Sequence, residues 1–263
     1  MATTLKLTLE YDGTRYHGWQ SQKNSRAVQD ALIEAAREVL ATDVEIGGAG
    51  RTDAGVHALA QVAHLKFRIS DSKSKTDLDS LRIKLNQSLP TDISIIRIEP
   101  APAGFHARHD ALRRYYLYQI ARRKTSFSKR FVWWVKGPLN LKRMERAAEL
   151  IVGKHDFAAF GDSRGEKKST LVEMYECSLL CANDLILVRM GASHFLWKMV
   201  RRLVGSMVEV GLEDLTVEEF GKILEQRKRS AAEWTAPASG LFLEKVTYAE
   251  DEGRGELKPV LWV

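Results

Sequence analysis

With 263 residues, 44% of them apolar, the chain can bury a core in one large domain or two small ones, and it holds no apolar run of about 18 or more residues that would span a membrane as a helix. The opening Met-Ala-Thr-Thr-Leu-Lys lacks the layout of a secretory signal. Cys177 and Cys181 have no Cys/His cluster around them, so a cytoplasmic protein without a zinc site is expected. The net charge of +6 is unevenly spread: residues 101–136 hold nine basic side chains against Asp110, a local +8 that leaves −2 for the rest.

Leu5, Leu7, Leu9 and Tyr11 alternate along a first strand at 5–11. Val28, Leu32, Ala35, Ala36 and Val39 then take helical spacing. Strands are predicted at Val44–Gly48 and 61–67, a helix follows on Leu78, Leu81, Leu85 and Leu89 up to Pro90, and a strand at 93–98 closes the set. The order βαββαβ is the ferredoxin-like unit. A second round follows: a strand at Arg113–Ala121, a helix at 141–152, and strands at 171–181 and 185–190 joined by a turn at Ala182-Asn183-Asp184. The longest apolar stripe, from Leu196 to Val208, predicts a helix over 196–208, followed by a helix at Val217–Gln226 and a last strand at 241–248.

The expected fold is therefore α+β: two ferredoxin-like halves with mostly antiparallel sheets. The connection at 103–110, after Pro100 and Pro102, divides an N-terminal α/β domain of residues 1–107 from a C-terminal α/β domain of residues 108–263.

Between the strands at 44–48 and 61–67 lies Gly-Ala-Gly-Arg-Thr-Asp-Ala-Gly-Val-His-Ala, residues 48–58. Glycines there permit backbone angles and close approaches closed to other residues. Asp53, two residues from Arg51, is a candidate nucleophile or base; a Gly-rich turn whose Asp caps an amide is the plainer alternative. In the basic segment, Arg108, Arg113 and Arg114 alternate with Phe105, Tyr115, Tyr116, Tyr118, Phe127, Phe131, Trp133 and Trp134. Cations for phosphates and rings for bases suit an unpaired nucleotide, whereas a solvated basic face over a ring-filled core is the alternative. Tyr116 and Tyr118 share one strand face, and His194, Lys198 and Arg201 are expected on one side of the long helix. A basic cleft between the halves would gather Asp53, Tyr116 and Arg201.

Residues 48–58 strongly resemble the signature loop of the tRNA pseudouridine synthase A family. The likeness continues in Tyr11-Asp12-Gly13, Gly18-Trp19-Gln20 and Val28-Gln29. It continues in Phe105, Ala107 and Arg108, and in Arg114, Tyr116 and Tyr118. Phe195-Leu196, Met199-Val200-Arg201 and Val204-Gly205 follow, then Ala236-Pro237 and Gly240-Leu241. The resemblance implies isomerisation of uridine to pseudouridine at positions 38, 39 and 40 of the tRNA anticodon arm, by a homodimer and without cofactor or metal. It makes Asp53 the catalytic aspartate, Tyr116 the active-site tyrosine and Arg201 the arginine paired with the aspartate. Arg51 would help extrude the nucleotide, and His57, Arg108, Arg113, Arg114 and Lys198 are further candidate RNA contacts. Trp197, Lys198, Arg202 and Tyr16 depart from the family pattern beside these positions. Trp133, Trp134, Leu261 and Trp262 are candidates for a dimer surface. Two rivals are a passive RNA-binding module like RRM proteins and a hydrolase or metal site built on Asp53 with His57 and His64, beside which His106 and His109 look superficially ligand-like.

Overall fold

The computed structural model describes residues 2–23, 25–68, 77–161, 169–226, 231–249 and 255–263. In the first half, β1 (Ala2–Tyr11) leads to α1 (Val28–Leu40), β2 (Val44–Gly48), β3 (His57–Arg68), α2 (Leu78–Ser88) and β4 (Ile93–Pro100). The second half runs β5 (Arg113–Ala121), β6 (Trp133–Trp134), α3 (Leu141–Leu150), β7 (Gly153–Asp156), β8 (Leu171–Ala182), β9 (Leu185–Ala192), α4 (Met199–Leu212), α5 (Val217–Gln226) and β10 (Leu241–Thr247).

Two compact units result: Met1–Leu112 with Leu243–Glu252, and Arg113–Phe242 with Gly253–Val263. A single cut after residue 107 differs from this division because the end of β10 returns to the first unit. There Leu112 N–H donates to Thr247 O at 2.9 Å, and Tyr248 OH donates to Ala107 O at 2.7 Å. Local periodicity cannot register a return of this kind, since it depends on contacts some 140 residues apart in the chain.

In the first unit the sheet runs β4-β1-β3, with β2 on β3, every pair antiparallel. This is the βαββαβ arrangement that the sequence predicts. Leu5, Leu7, Leu9 and Tyr11 are all 4% exposed or less, each contributing about 2 kcal/mol by burial. The helices α1 and α2 pack on each other and on β2 and β4, through Val28, Ala31, Leu32, Ala35, Ala36, Leu81 and Leu85. β3 begins four residues before the alternation in its sequence does. Its first residues pair with β1 beyond a register shift, Tyr11 facing Ala58, and that irregularity conceals the period.

The second unit orders its strands β5-β9-β8-β7, antiparallel throughout, with the two-residue β6 parallel to β5. All eight residues of β9 are buried, and so are eleven of α4. The β8–β9 turn carries Asn183 at φ 54°, a left-handed position that Asn tolerates. β6 and β7, two and four residues long, are too short to leave a readable period.

The predicted helix at 196–208 starts later, at Met199. Lys198 stands before it with φ 60°, outside helical geometry, and Leu196 instead covers Gly161, where a Cβ would lie 2.3 Å from the Leu196 Cβ. His194 and Lys198 are therefore not on the helix that carries Arg201.

Candidate active site

The loop between β2 and β3 is clamped by the two segments that follow β1. Gly13 approaches so closely that a Cβ there would lie 1.9 Å from Val56 O, and Gly18, at φ +98°, would place one 2.3 Å from Thr52 O. Trp19 N–H donates to Thr52 O at 3.2 Å, and Gly55 N–H donates to Tyr16 O at 3.1 Å. From below, Tyr11 OH and Thr52 Oγ1 share a buried hydrogen bond of 2.8 Å, and burial pushes the Tyr11 phenol far above its ordinary pKa. Gln61, fully buried, spans the loop's start by accepting from Gly50 N–H at 3.2 Å and donating to Gly50 O at 2.8 Å. Thr52 is thus buried and fixed, Asp53 stands half-buried beside it, and Arg51 is exposed. Val56 N–H closes the turn on Asp53 O at 3.1 Å. The backbone around Asp53 is thus pinned on both sides, which fixes where its side chain leaves the loop.

Gln29, on the first turn of α1, braces the same region from behind. Its side chain donates to Ile46 O at 2.7 Å and accepts from the Gln20 side chain at 2.8 Å.

Arg108 enters from the segment after β4. It is half-buried, and desolvation together with the nearby Arg51 guanidinium lowers its pKa.

The second unit holds the other candidates. Tyr116 and Tyr118 lie on β5 opposite Met190 and Val188 of β9, both buried. Tyr116 meets the Phe195 ring edge-on at 5.0 Å. Tyr118 OH donates to Pro237 O at 2.7 Å, its ring lies against Gly240, and burial drives its pKa far up despite the opposing Arg201 charge. On α4, Arg201 Nε donates to Ala236 O at 2.6 Å while Ala236 N–H donates to Arg201 O at 3.0 Å. Gly205, one turn on, admits this segment, since a Cβ there would strike Trp234 O. The three motif blocks of this unit, on β5, α4 and residues 236–241, are one packed cluster.

The profile of the tRNA pseudouridine synthase family matches residues 8–110 and 147–249 of the chain. The chain belongs to that family. Three relatives agree. The tRNA pseudouridine synthase A of Thermodesulfovibrio yellowstonii is 40% identical over 256 residues, 93% of this chain and 99% of that protein. The tRNA pseudouridine synthase A of a Thermoanaerobacter species is 39% identical over 244 residues, 92% and 98%. The tRNA pseudouridine synthase A 2 of Bacillus cereus is 38% identical over 246 residues, again 92% and 98%. The chain is thus an isomerase, a tRNA pseudouridine synthase.

Within this pseudouridine synthase, burial and contacts bear on several of the candidate side chains. His57 is 1% exposed and its Nδ1 accepts Gly13 N–H at 3.0 Å, so it supports the aspartate loop and has no surface with which to meet RNA. The Asp12 carboxylate 3.2 Å from that ring takes the Thr14 N–H, capping the short turn after β1. Of the rings in the basic segment, Tyr115 and Tyr118 are packed into the core, Tyr116 is buried but for 8% of its surface, and Phe127 and Trp134 are exposed. The His106 ring lies between His64 and His109, tilted against each, but among the described residues no group of three His, Cys, Asp or Glu is arranged to hold a metal ion. Arg113 lies over the Tyr175 ring at 4.5 Å, Arg114 donates to Ser193 O at 2.9 Å, and Lys198 covers the Trp197 ring at 4.4 Å.

Gln61 and Tyr248 escape a sequence reading, and Gln29 enters it only as part of a family block. A glutamine inside an apolar strand was the available signal for the first.

Proposed function

We propose that this synthase converts uridine to pseudouridine at positions 38, 39 and 40 of the tRNA anticodon arm, with Asp53 as nucleophile. The observation that carries the reading is the Asp53 loop itself, gripped through glycines and buried hydrogen bonds by the very residues in which the chain resembles the tRNA pseudouridine synthase A family. In the reaction, Asp53 attacks the uracil ring or the ribose C1′. The C1′–N1 bond breaks, the base turns and a C1′–C5 bond forms; the bond to Asp53 breaks and restores the carboxylate, the C5 proton is lost and N1 gains one. The exchange is balanced without a redox or group-transfer cofactor.

Tyr116 and Arg201 are proposed as the further catalytic residues, Tyr116 by stacking on the base and receiving or relaying the C5 proton. Arg51 and Arg108 are proposed to hold the backbone of the extruded nucleotide, a step that costs a few kcal/mol in lost stacking. Arg113, Arg114 and Lys198 are proposed as further phosphate contacts, which position RNA without reading its sequence. No helix among the described residues is long and apolar enough to cross a membrane. A cytoplasmic homodimer is proposed, for which Trp134, Leu261 and Trp262 are exposed apolar candidates.

Carbodiimide treatment followed by primer extension on reacted tRNA tests the reading. New stops are expected at positions 38–40. Modification confined to other positions would overturn the anticodon-arm assignment while leaving the chemistry standing.

A further inference from the structure

Arg108 is not held by its own side chain alone; the three residues before it are fastened to β3 and to the strand that returns from the end of the chain. Ala107, fully buried, donates its N–H to His64 Nδ1 at 3.1 Å and accepts Tyr248 OH at 2.7 Å. The N–H groups of Arg108 and His109 both donate to His106 Nδ1, at 3.2 and 3.3 Å. The His106 ring in turn packs at a tilt against His64, 4.6 Å between ring centres. His64 is 2% exposed and cannot swing away, since its ring occupies the space over Gly47, where a Cβ would lie 2.5 Å from Cε1.

We propose that His64 is a positioning residue for Arg108, its neutral ring accepting the Ala107 amide and so setting the arginine at the height where it meets the RNA backbone. The proposal rests on the reading of Arg108 as an RNA contact. Only a ring with an unprotonated Nδ1 can accept an N–H, so the device works in one protonation state.

The surroundings favour that state. Burial disfavours the charged imidazolium, and His106 and Lys66 add positive charge, which together lower the His64 pKa; Glu45 opposes them with its carboxylate 3.5 Å from Nε2. The other charged or titratable groups about these rings are Lys6, paired in register with His64 from β1, and His109 and Asp110 on the arginine's own segment. His106 also titrates low, through burial and the adjacent His109. Because the docked state binds protons less readily than the undocked one, docking is complete above the ordinary histidine range. It weakens as pH falls through the lowered value.

Two substitutions separate the device from mere packing. His64→Leu keeps the bulk and removes the acceptor. His64→Asn places an amide oxygen close to the Nδ1 position, and that oxygen does not titrate. At pH 7.5, His64→Leu is expected to raise KM for tRNA roughly five- to tenfold, the loss of about one hydrogen bond, with kcat within about twofold of wild type. His64→Asn should restore KM. As pH falls below the histidine range, KM should climb in the wild type and stay flatter in His64→Asn. Arg108→Ala should raise KM by itself, and adding His64→Leu to it should cost nothing more. A normal KM in His64→Leu alongside a raised one in Arg108→Ala would overturn the proposal. An unchanged KM in Arg108→Ala would instead sink the reading of the arginine as an RNA contact. Should His64→Leu fail to fold, parallel pH profiles for wild type and His64→Asn would overturn it equally.

Discussion

Gly13→Ala should disable the synthase while leaving it folded. The added Cβ would sit 1.9 Å from Val56 O and 2.5 Å from Val56 C, both backbone atoms that no rotamer change can remove. Bringing the first of these to a tolerable separation means opening the contact between the Gly13 turn and the Asp53 loop by about 1 Å. Overpacking of this kind costs about 1–3 kcal/mol, which for a chain of this length lowers Tm by roughly 2–10 °C. The catalytic cost is larger, because misplacing a reacting group by about 1 Å lowers turnover by about a hundredfold. The displacement would also strain the hydrogen bond from Gly13 N–H to His57 Nδ1. Tritium release from [5-³H]uridine-labelled tRNA gives kcat, and differential scanning fluorimetry gives Tm. Gly104→Ala is the matched control: it lies in the same unit and a Cβ there meets nothing within 4 Å. If Gly13→Ala turned over within twofold of Gly104→Ala, the clamp on the aspartate loop would be irrelevant to chemistry and the reasoning would fail.

Other consequences are simpler to check. Removing Arg51 or Arg108 should weaken tRNA binding and reduce the slope of log K against log salt by about 1 for each charge, read by filter binding from low to moderate salt. The two tyrosines of β5 should separate cleanly. Tyr118→Phe loses the bond to Pro237 O and should cost about 1–3 kcal/mol of stability with kcat within a few-fold. Tyr116→Phe should lower kcat about a hundredfold or more if its hydroxyl handles the C5 proton. Synthase passed over a chelating resin should turn over like the untreated protein; activity lost there and recovered with zinc would revive a metal site.

Much of the architecture is legible in the order of residues because its elements are amphipathic on one face. The alternation of Leu5, Leu7, Leu9 and Tyr11 and the stripe of α1 are of that kind. β9 and α4 are buried on nearly every side, and there periodicity blurs: the start of α4 slips three residues, past a left-handed Lys198 that no apolar pattern marks. The site shows the same limit. Asp53 stands out through its glycines, but what fixes it is made of hydrogen bonds between segments far apart in sequence, Tyr11 to Thr52 and Gly13 to His57. A histidine near a catalytic loop looks alike in sequence whether it faces RNA or a buried amide. Burial decided that for His57, and it decided likewise that Tyr115 and Tyr118 belong to the core.

The most direct test of the account compares wild type with Asp53→Ala for tritium release from [5-³H]uridine-labelled tRNA, with tRNA binding measured alongside. Release by the wild type, none by Asp53→Ala and comparable binding by both is the expected result. Release by Asp53→Ala at the wild-type rate would contradict it.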